Sequence, residues 1–230
     1  TTTTATTTTP SKKKTWIMVD TPKYSKSAVD TVTGLTGPDG PHYLVLTHVD
    51  DTADHGTWKE QFPNLKRIFH SGDLGRHNWV GDKTLEHVEI LLHPHHNDND
   101  DDADDDASLQ AFDLEGNPVR LHQKKDNNDD NNNNDNNSNH EALVLHTPGH
   151  SPGSITLYVP SRRTIFTGDT LGYTQRTHTL TGFPRYGNNL QRQSETVRKL
   201  AELEDWTIIA PGHGHVRDYT NYRDHNHHHH

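Results

Sequence analysis

Tyr43-Leu44-Val45-Leu46-Thr47-His48-Val49-Asp50-Asp51-Thr52-Ala53-Asp54-His55 starts as an apolar, β-prone run and ends in side chains that can bind a metal. The run YLVLT reads as a buried strand that delivers His48 at its C-terminal end. His48 and Asp50 are two apart, so both can leave the strand end toward one ion. Asp54 and His55 are adjacent and can reach a second ion from a tight turn. Three further segments have the same form: Thr147-Pro148-Gly149-His150, Thr167-Gly168-Asp169 and Pro211-Gly212-His213-Gly214. Each follows an expected strand, and each glycine permits a sharp bend close to the site. Imidazole and carboxylate are the donors of zinc or iron in hydrolytic centres. A dinuclear centre needs two donor clusters, a bridging carboxylate and an open position for water.

The rest of the chain alternates strands with a few helices. Strands are expected at residues 15–20 (TWIMVD), 67–70, 142–145, 154–159, 164–166 and 207–210, and a hairpin over 109–121 turning at Glu115-Gly116-Asn117-Pro118. Helices are expected over 25–35, over 57–62 ahead of Pro63, and over 194–203 with Ser194 as N-cap. Strands dominate and helices lie between and after them. That suggests two sheets covered by helices, a layered α/β sandwich, and not a doubly wound parallel sheet.

Composition is distorted by two tracts. The chain has 230 residues, 28% hydrophobic content and a net charge of -10. Residues 97–106 carry seven Asp and residues 126–139 carry four, with no Lys or Arg. Without these eleven charges the remainder is near +1, so charge gives no hint of nucleic-acid binding. Both tracts are too polar to bury a core and read as mobile loop insertions. There is no cysteine, which excludes disulfides, thiolate zinc, iron–sulfur ligation and a Cys nucleophile. No run of 18 apolar residues exists, so no membrane span is expected. Residues 1–14 read as a disordered tail, residues 15–224 as one domain, and residues 225–230, ending in four histidines, as a purification tag.

The order and wording of the four segments, with Val19-Asp20-Thr21-Pro22 before them, resemble the metallo-β-lactamase-fold superfamily of hydrolases. The resemblance spans roughly residues 15–215. It implies a four-layer αββα sandwich with one or two divalent metal ions at one edge between the sheets. By that resemblance His48 and His150 bind the first metal, Asp54, His55 and His213 the second, and Asp169 bridges. The departure lies in the first motif. The superfamily shows His-x-His-x-Asp-His, whereas this chain has His48-x-Asp50-Asp51-x-x-Asp54-His55, a form that resembles a subgroup from photosynthetic organisms. Three readings stay open at this point. Asp50 or Asp51 replaces the missing imidazole and both metals bind; or the first metal is lost and Asp54, His55, Asp169 and His213 hold one ion; or the site is vestigial. A carboxylate at this place resembles the diiron branch of the superfamily, and harder oxygen donors shift preference from zinc toward iron or manganese. Asp50 is the preferred ligand. Asp51 reads as the N-cap of the helix that follows.

The resemblance implies hydrolysis of an ester, thioester or phosphodiester-like small molecule by metal-activated water, with Asp54 orienting the nucleophile and taking its proton. An iron-binding redox protein of the same fold is the alternative, and a non-catalytic interaction protein a third. Asp20 is expected to support a ligating His from outside the coordination sphere, and His70 and His146 are further supports. His215 reads as a surface residue. His93, His95 and His96 form an adventitious metal binder, and Arg176, Arg185 and Tyr186 can meet an anionic substrate. No nucleic-acid or membrane partner is expected, and the expected compartment is intracellular, cytoplasm or plastid.

Overall fold

The computed structural model describes residues 14–94, 109–121, 140–203 and 205–221. The two acidic tracts, His95, His96, most of the N-terminal tail and the terminal histidines lie outside them. Four parallel strands, β1 (Ile17–Val19), β2 (Tyr43–Val45), β3 (Lys66–His70) and β4 (Ile90–Leu92), pair in the order β1-β2-β3-β4. The larger sheet is mixed. It comprises β5 (Ala111–Phe112), β6 (Pro118–Val119), β7 (Leu143–His146), β8 (Ile155–Val159), β9 (Thr164–Gly168), β12 (Ile208–Pro211) and β13 (Arg217–Asp218), in the order β13-β12-β9-β8-β7-β5-β6. β10 (Gly172–Thr174) and β11 (Thr179–Thr181) form a separate hairpin. The helices are α1 (Lys26–Thr36), α2 (His55–Gln61) and α3 (Leu190–Glu202).

Side-chain alternation turns these elements into layers, because successive residues of a strand face opposite sides of a sheet. Leu44 and Phe69 face outward onto Ala28, Val29 and Trp58 of α1 and α2. Their neighbours Val45 and Ile68 face inward and meet Phe112, Val144, Ile155 and Leu157 of the second sheet. In β7, Leu143 and Leu145 turn the other way, onto Val197 and Leu200 of α3. Three apolar layers therefore separate four structural ones, in the order helix, sheet, sheet, helix. This is the αββα sandwich. Among the described residues no helix is long and apolar enough to cross a membrane.

Two helix starts differ from expectation. α3 begins a turn before Ser194, with Asn189 as N-cap accepting from the amide of Arg192 at 3.0 Å. Asn189 is fastened by its own amide to the Gly149 carbonyl, and that tertiary contact sets the start. α2 begins at His55, not near Thr57, and its N-cap is Asp54 in the left-handed region (φ 62°), not Asp51. Asp51 instead closes one 3₁₀ turn, Val49–Asp51.

Candidate metal centre

β8 runs antiparallel to both β7 and β9, and β12 is parallel to β9, so β7, β9 and β12 end at one edge of the large sheet. β2 ends beside them across the sandwich, where the Ile155 amide donates to the Thr47 carbonyl at 2.8 Å. The four motif segments thus emerge from strand ends that meet. Gly168 (φ 48°) lies tight against the segment that carries His48. A Cβ there would lie 2.3 Å from Thr47 Oγ1, so only glycine lets the Asp169 loop pass this near to His48.

Asp169 is the hub. Its Oδ2 lies 3.8 Å from His48 Nε2, 3.9 Å from His150 Nε2 and 3.5 Å from His213 Nε2. Asp50 Oδ2 lies 3.6 Å from His150 Nε2 and 3.9 Å from His48 Nε2, and Asp51 Oδ2 is 4.0 Å from His48 Nε2. His48, His150 and Asp169 are buried, whereas His213 is exposed. Among the described residues, donor atoms converge in two trios, His48–Asp50–His150 and His48–Asp51–Asp169. His48 Nε2 and Asp169 Oδ1 are buried with no hydrogen-bond partner. Buried polar atoms are rarely left so, since each costs about 1–3 kcal/mol unsatisfied. A divalent cation fits this set: it satisfies imidazole lone pairs and carboxylates together.

The imidazoles are prepared for that role. Asp20, itself left-handed (φ 54°), accepts from the amide of Thr47 at 2.8 Å and from its hydroxyl at 2.9 Å. With that hydroxyl proton given to Asp20, Thr47 Oγ1 accepts from His48 Nδ1 at 3.0 Å. The proton on Nδ1 leaves the Nε2 lone pair facing the carboxylates. Asp20 therefore acts on His48 through Thr47. Burial pushes its pKa up to about 6, against the pull of the Thr47 amide and of His48. Burial, then the neighbouring His48, also lowers the pKa of His150, which keeps it neutral with a lone pair to give.

The Asp54–His55 pair takes another direction. Asp54 Oδ2 accepts from the Tyr24 amide at 2.9 Å. His55 is 2% exposed; its Nδ1 meets Arg67 NH1 at 3.0 Å, and its Nε2 meets Asp82 Oδ2 at 2.9 Å. Arg67 can only donate, so Nδ1 accepts and the Nε2–H is given to Asp82. Neither residue belongs to the converging trios. The two residues inserted ahead of the Asp-His pair place Asp54 at the N-cap of α2, held at Tyr24, and His55 in its first turn, held at Arg67 of β3. The structure thus brings together His48, Asp50, Asp51, His150, Asp169 and His213, and holds Asp54 and His55 elsewhere.

The two histidines expected as supports pair with each other. His70 stacks on His146 with ring centroids 3.9 Å apart, and its Nδ1 accepts from the Gly72 amide. Burial, with His146 and His93 nearby, pushes its pKa down to about 3. His146 Nε2 donates to the Pro152 carbonyl at 2.9 Å. Through these bonds both histidines brace the loops that follow their strands. His215 is exposed, with its amide on the Tyr173 carbonyl.

Two residues escaped the sequence reading. Asp73, fully buried, accepts from the Val49 amide (3.0 Å), Ser151 Oγ (2.7 Å) and the Gly153 amide (2.6 Å), and so ties the His48 loop to the His150 loop. Its signal was present: Ser71-Gly72-Asp73 follows β3 just as Thr167-Gly168-Asp169 closes β9. Trp79 is the other, donating from Nε1 to Asp50 Oδ1 at 2.7 Å. A lone Trp in a loop gave no such signal.

Residues 35–213 match the sequence model of the family described as Metallo-beta-lactamase superfamily. A hydroxyacylglutathione hydrolase of Bartonella henselae is 28% identical over 147 residues, 63% of this chain and 53% of that protein. A probable metallo-hydrolase of Bacillus subtilis is 27% identical over 147 residues, 63% of this chain and 66% of that protein. The chain spans between half and two thirds of the length of these relatives. Among solved structures, DIM-1 metallo-beta-lactamase aligns with a TM-score of 0.55 at 15% identity, covering 93% of this chain and 78% of that one. TTHA1623 in a di-iron-bound form gives 0.50 at 19% identity, over 87% and 83%. FIM-1 from Pseudomonas aeruginosa, in a mono-zinc form, gives 0.53 at 16%, over 90% and 75%. At such identities the likeness concerns the fold.

Proposed function

The chain belongs to the metallo-beta-lactamase superfamily, and from that premise we propose that it is a metal-dependent hydrolase whose ion is held by His48, Asp50, His150 and Asp169. The observation that carries the reading is Asp169 Oδ2, set within 3.9 Å of three imidazole nitrogens from three different loops. The hydrolase names of the relatives support the class of reaction. A bound divalent ion supplies Lewis acidity and lowers the pKa of water toward neutrality. The chain's own residues do the rest. Asp20 and Thr47 keep the His48 lone pair turned inward. Asp73 holds the two histidine loops at a fixed separation. Asp54 is engaged by Tyr24, so the role of orienting a water and taking its proton passes to Asp51, whose Oδ2 stands 4.0 Å from His48 Nε2. His213, at the exposed rim, is the residue placed to meet an entering substrate or to complete the coordination. The substrate is a small ester, thioester or phosphodiester.

Iron is a second reading of the same centre. The donors include three carboxylates, Asp50, Asp51 and Asp169, beside two buried imidazoles, and oxygen-rich sets favour iron or manganese over zinc. Elemental analysis of the chain lacking its last four histidines tests both readings. One ion per chain is expected, lost in His150→Ala, with hydrolysis of a thioester or phosphodiester reporter that disappears with chelator. A fully loaded protein silent across such reporters would sink the hydrolase reading, and zinc alone would sink the iron one.

A further inference from the structure

Two departures from the superfamily pattern meet in one loop. Asp50 stands where a second His is usual, and His55 is withdrawn from the centre. Residues 78–82 connect them. At one end Trp79 Nε1 donates to Asp50 Oδ1 at 2.7 Å. At the other, Asp82 Oδ2 accepts from His55 Nε2 at 2.9 Å. Between the ends the loop is closed on itself: the Asn78 side chain donates to the Asp82 carbonyl at 2.6 Å, and the Gly81 amide donates to the Asn78 carbonyl at 3.0 Å. His55 is fixed from behind by Arg67, which Glu89 grips through three hydrogen bonds of 2.9 to 3.1 Å.

The exposure of Trp79 needs a reason. It is 75% exposed, and Val80 beside it is 53% exposed, so this segment contributes no core. Its one polar atom is spent on a carboxylate of the metal trio. A carboxylate differs from an imidazole in having two equivalent oxygens and an easily rotated end. An exposed Asp in a 3₁₀ turn would sample several orientations. The indole N–H occupies Oδ1 and leaves Oδ2 toward His150 and His48, at 3.6 and 3.9 Å.

We propose that residues 78–82 form a clamp outside the coordination sphere, in which Trp79 positions Asp50 as a one-oxygen ligand and His55, through Asp82, holds the clamp in place. The proposal rests on the metal reading above. It gives His55 a positioning role in place of ligation, and it makes Trp79 the partner that a carboxylate ligand needs at this place. Outer partners of this kind typically change metal affinity 10–100-fold when removed.

The test is a zinc titration of the metal-free chain lacking its last four histidines, followed by intrinsic fluorescence and by competition with a chelating dye. Trp58 and Trp206 are buried and Trp16 is partly so, which makes Trp79 the most solvent-facing of the four indoles. Zinc should change the emission of the wild-type chain, and Trp79→Phe should lose that change and bind zinc about 10–100-fold more weakly. Trp79→His, which restores a ring N–H, should regain part of the affinity. Asp82→Ala, which removes the anchor on His55 and none of the proposed ligands, should weaken zinc to a similar degree and shift the Trp79 emission even without metal. Wild-type uptake alongside unchanged affinity in Trp79→Phe and Asp82→Ala would overturn the clamp alone. A wild-type chain that takes up no ion would overturn the metal reading, and the clamp with it.

Discussion

The guanidinium of Arg67 donates to Nδ1 of His55 across 3.0 Å, and this contact decides which way the imidazole faces. A guanidinium has no lone pair to offer, so the ring must accept there and give its hydrogen to Asp82. Arg67 is 7% exposed, and it also holds Glu89, whose pKa falls to about 2: burial opposes ionisation, but the hydrogen bonds and charge of Arg67 outweigh it.

Arg67→Met should therefore do more than remove a surface pair. It leaves Glu89 with Lys59, at 3.2 Å, as its remaining cation, and it leaves Nδ1 of a buried imidazole unpaired. Losing one partner of a buried, hydrogen-bonded charge pair costs about 3–5 kcal/mol; with Glu89 partly exposed and Lys59 still beside it, about 2 kcal/mol is expected. Urea denaturation measures it. A loss below about 1 kcal/mol would mean that the network is ornamental.

Thr47 links Asp20 to His48 through a single hydroxyl. Thr47→Val keeps the shape and removes the relay, so His48 loses the acceptor that keeps its Nδ1 protonated. Zinc affinity should drop about 10–100-fold, and Thr47→Ser should restore most of it. Equal affinities for Val and Ser would show that packing alone holds the ring.

Much of this was legible in the chain. The strand ends carrying His48, His150, Asp169 and His213 were readable because buried strands leave runs of apolar residues and the bends leave Gly and Pro. The layered sandwich follows from the same strands. What was not legible depended on the third dimension. Asp54 and His55 carry the usual donor pair, but the helix phase set by the inserted residues turns them toward Tyr24 and Arg67. Asp51 looked like a helix cap because spacing alone cannot tell an α start from a single 3₁₀ turn. Trp79 is far from Asp50 in sequence, and nothing local announces that contact.

His70 supplies a test in pH. Its native pKa, about 3, lies below its ordinary 6.5, so between these values the unfolded chain holds a proton that the native one lacks. Stability from this group therefore rises with pH across that window, by at most about 1.4 kcal/mol per unit. Asp20 works in the opposite sense: its pKa is raised from 3.8 to about 6, so the native state binds the proton first and stability falls as pH rises between them. Relative to His70→Leu, the metal-free wild type should gain stability from pH 3 to 6.5. Relative to Asp20→Asn it should lose stability from pH 3.8 to 6. Variant and wild-type curves that stay parallel in urea titrations would remove both assignments.

Gly168 tests the geometry on which the centre depends. Its φ of 48° is one that side chains with a Cβ adopt at a cost, and the added carbon would sit 2.3 Å from Thr47 Oγ1 and 2.6 Å from Thr47 Cβ. Thr47 has little room to retreat, being buried and tied by its amide and hydroxyl to Asp20. Gly168→Ala must therefore push Asp169 and His48 apart as well as strain the backbone. About 2–3 kcal/mol of stability should be lost, from strain and overpacking together. Zinc affinity should fall by more than in Thr47→Val, because both the hub carboxylate and the imidazole move. Gly34→Ala, in helix α1 with open space around the new carbon, is the control and should leave zinc binding unchanged. If Gly168→Ala binds zinc like the wild type, the close approach of these two loops is not what forms the centre.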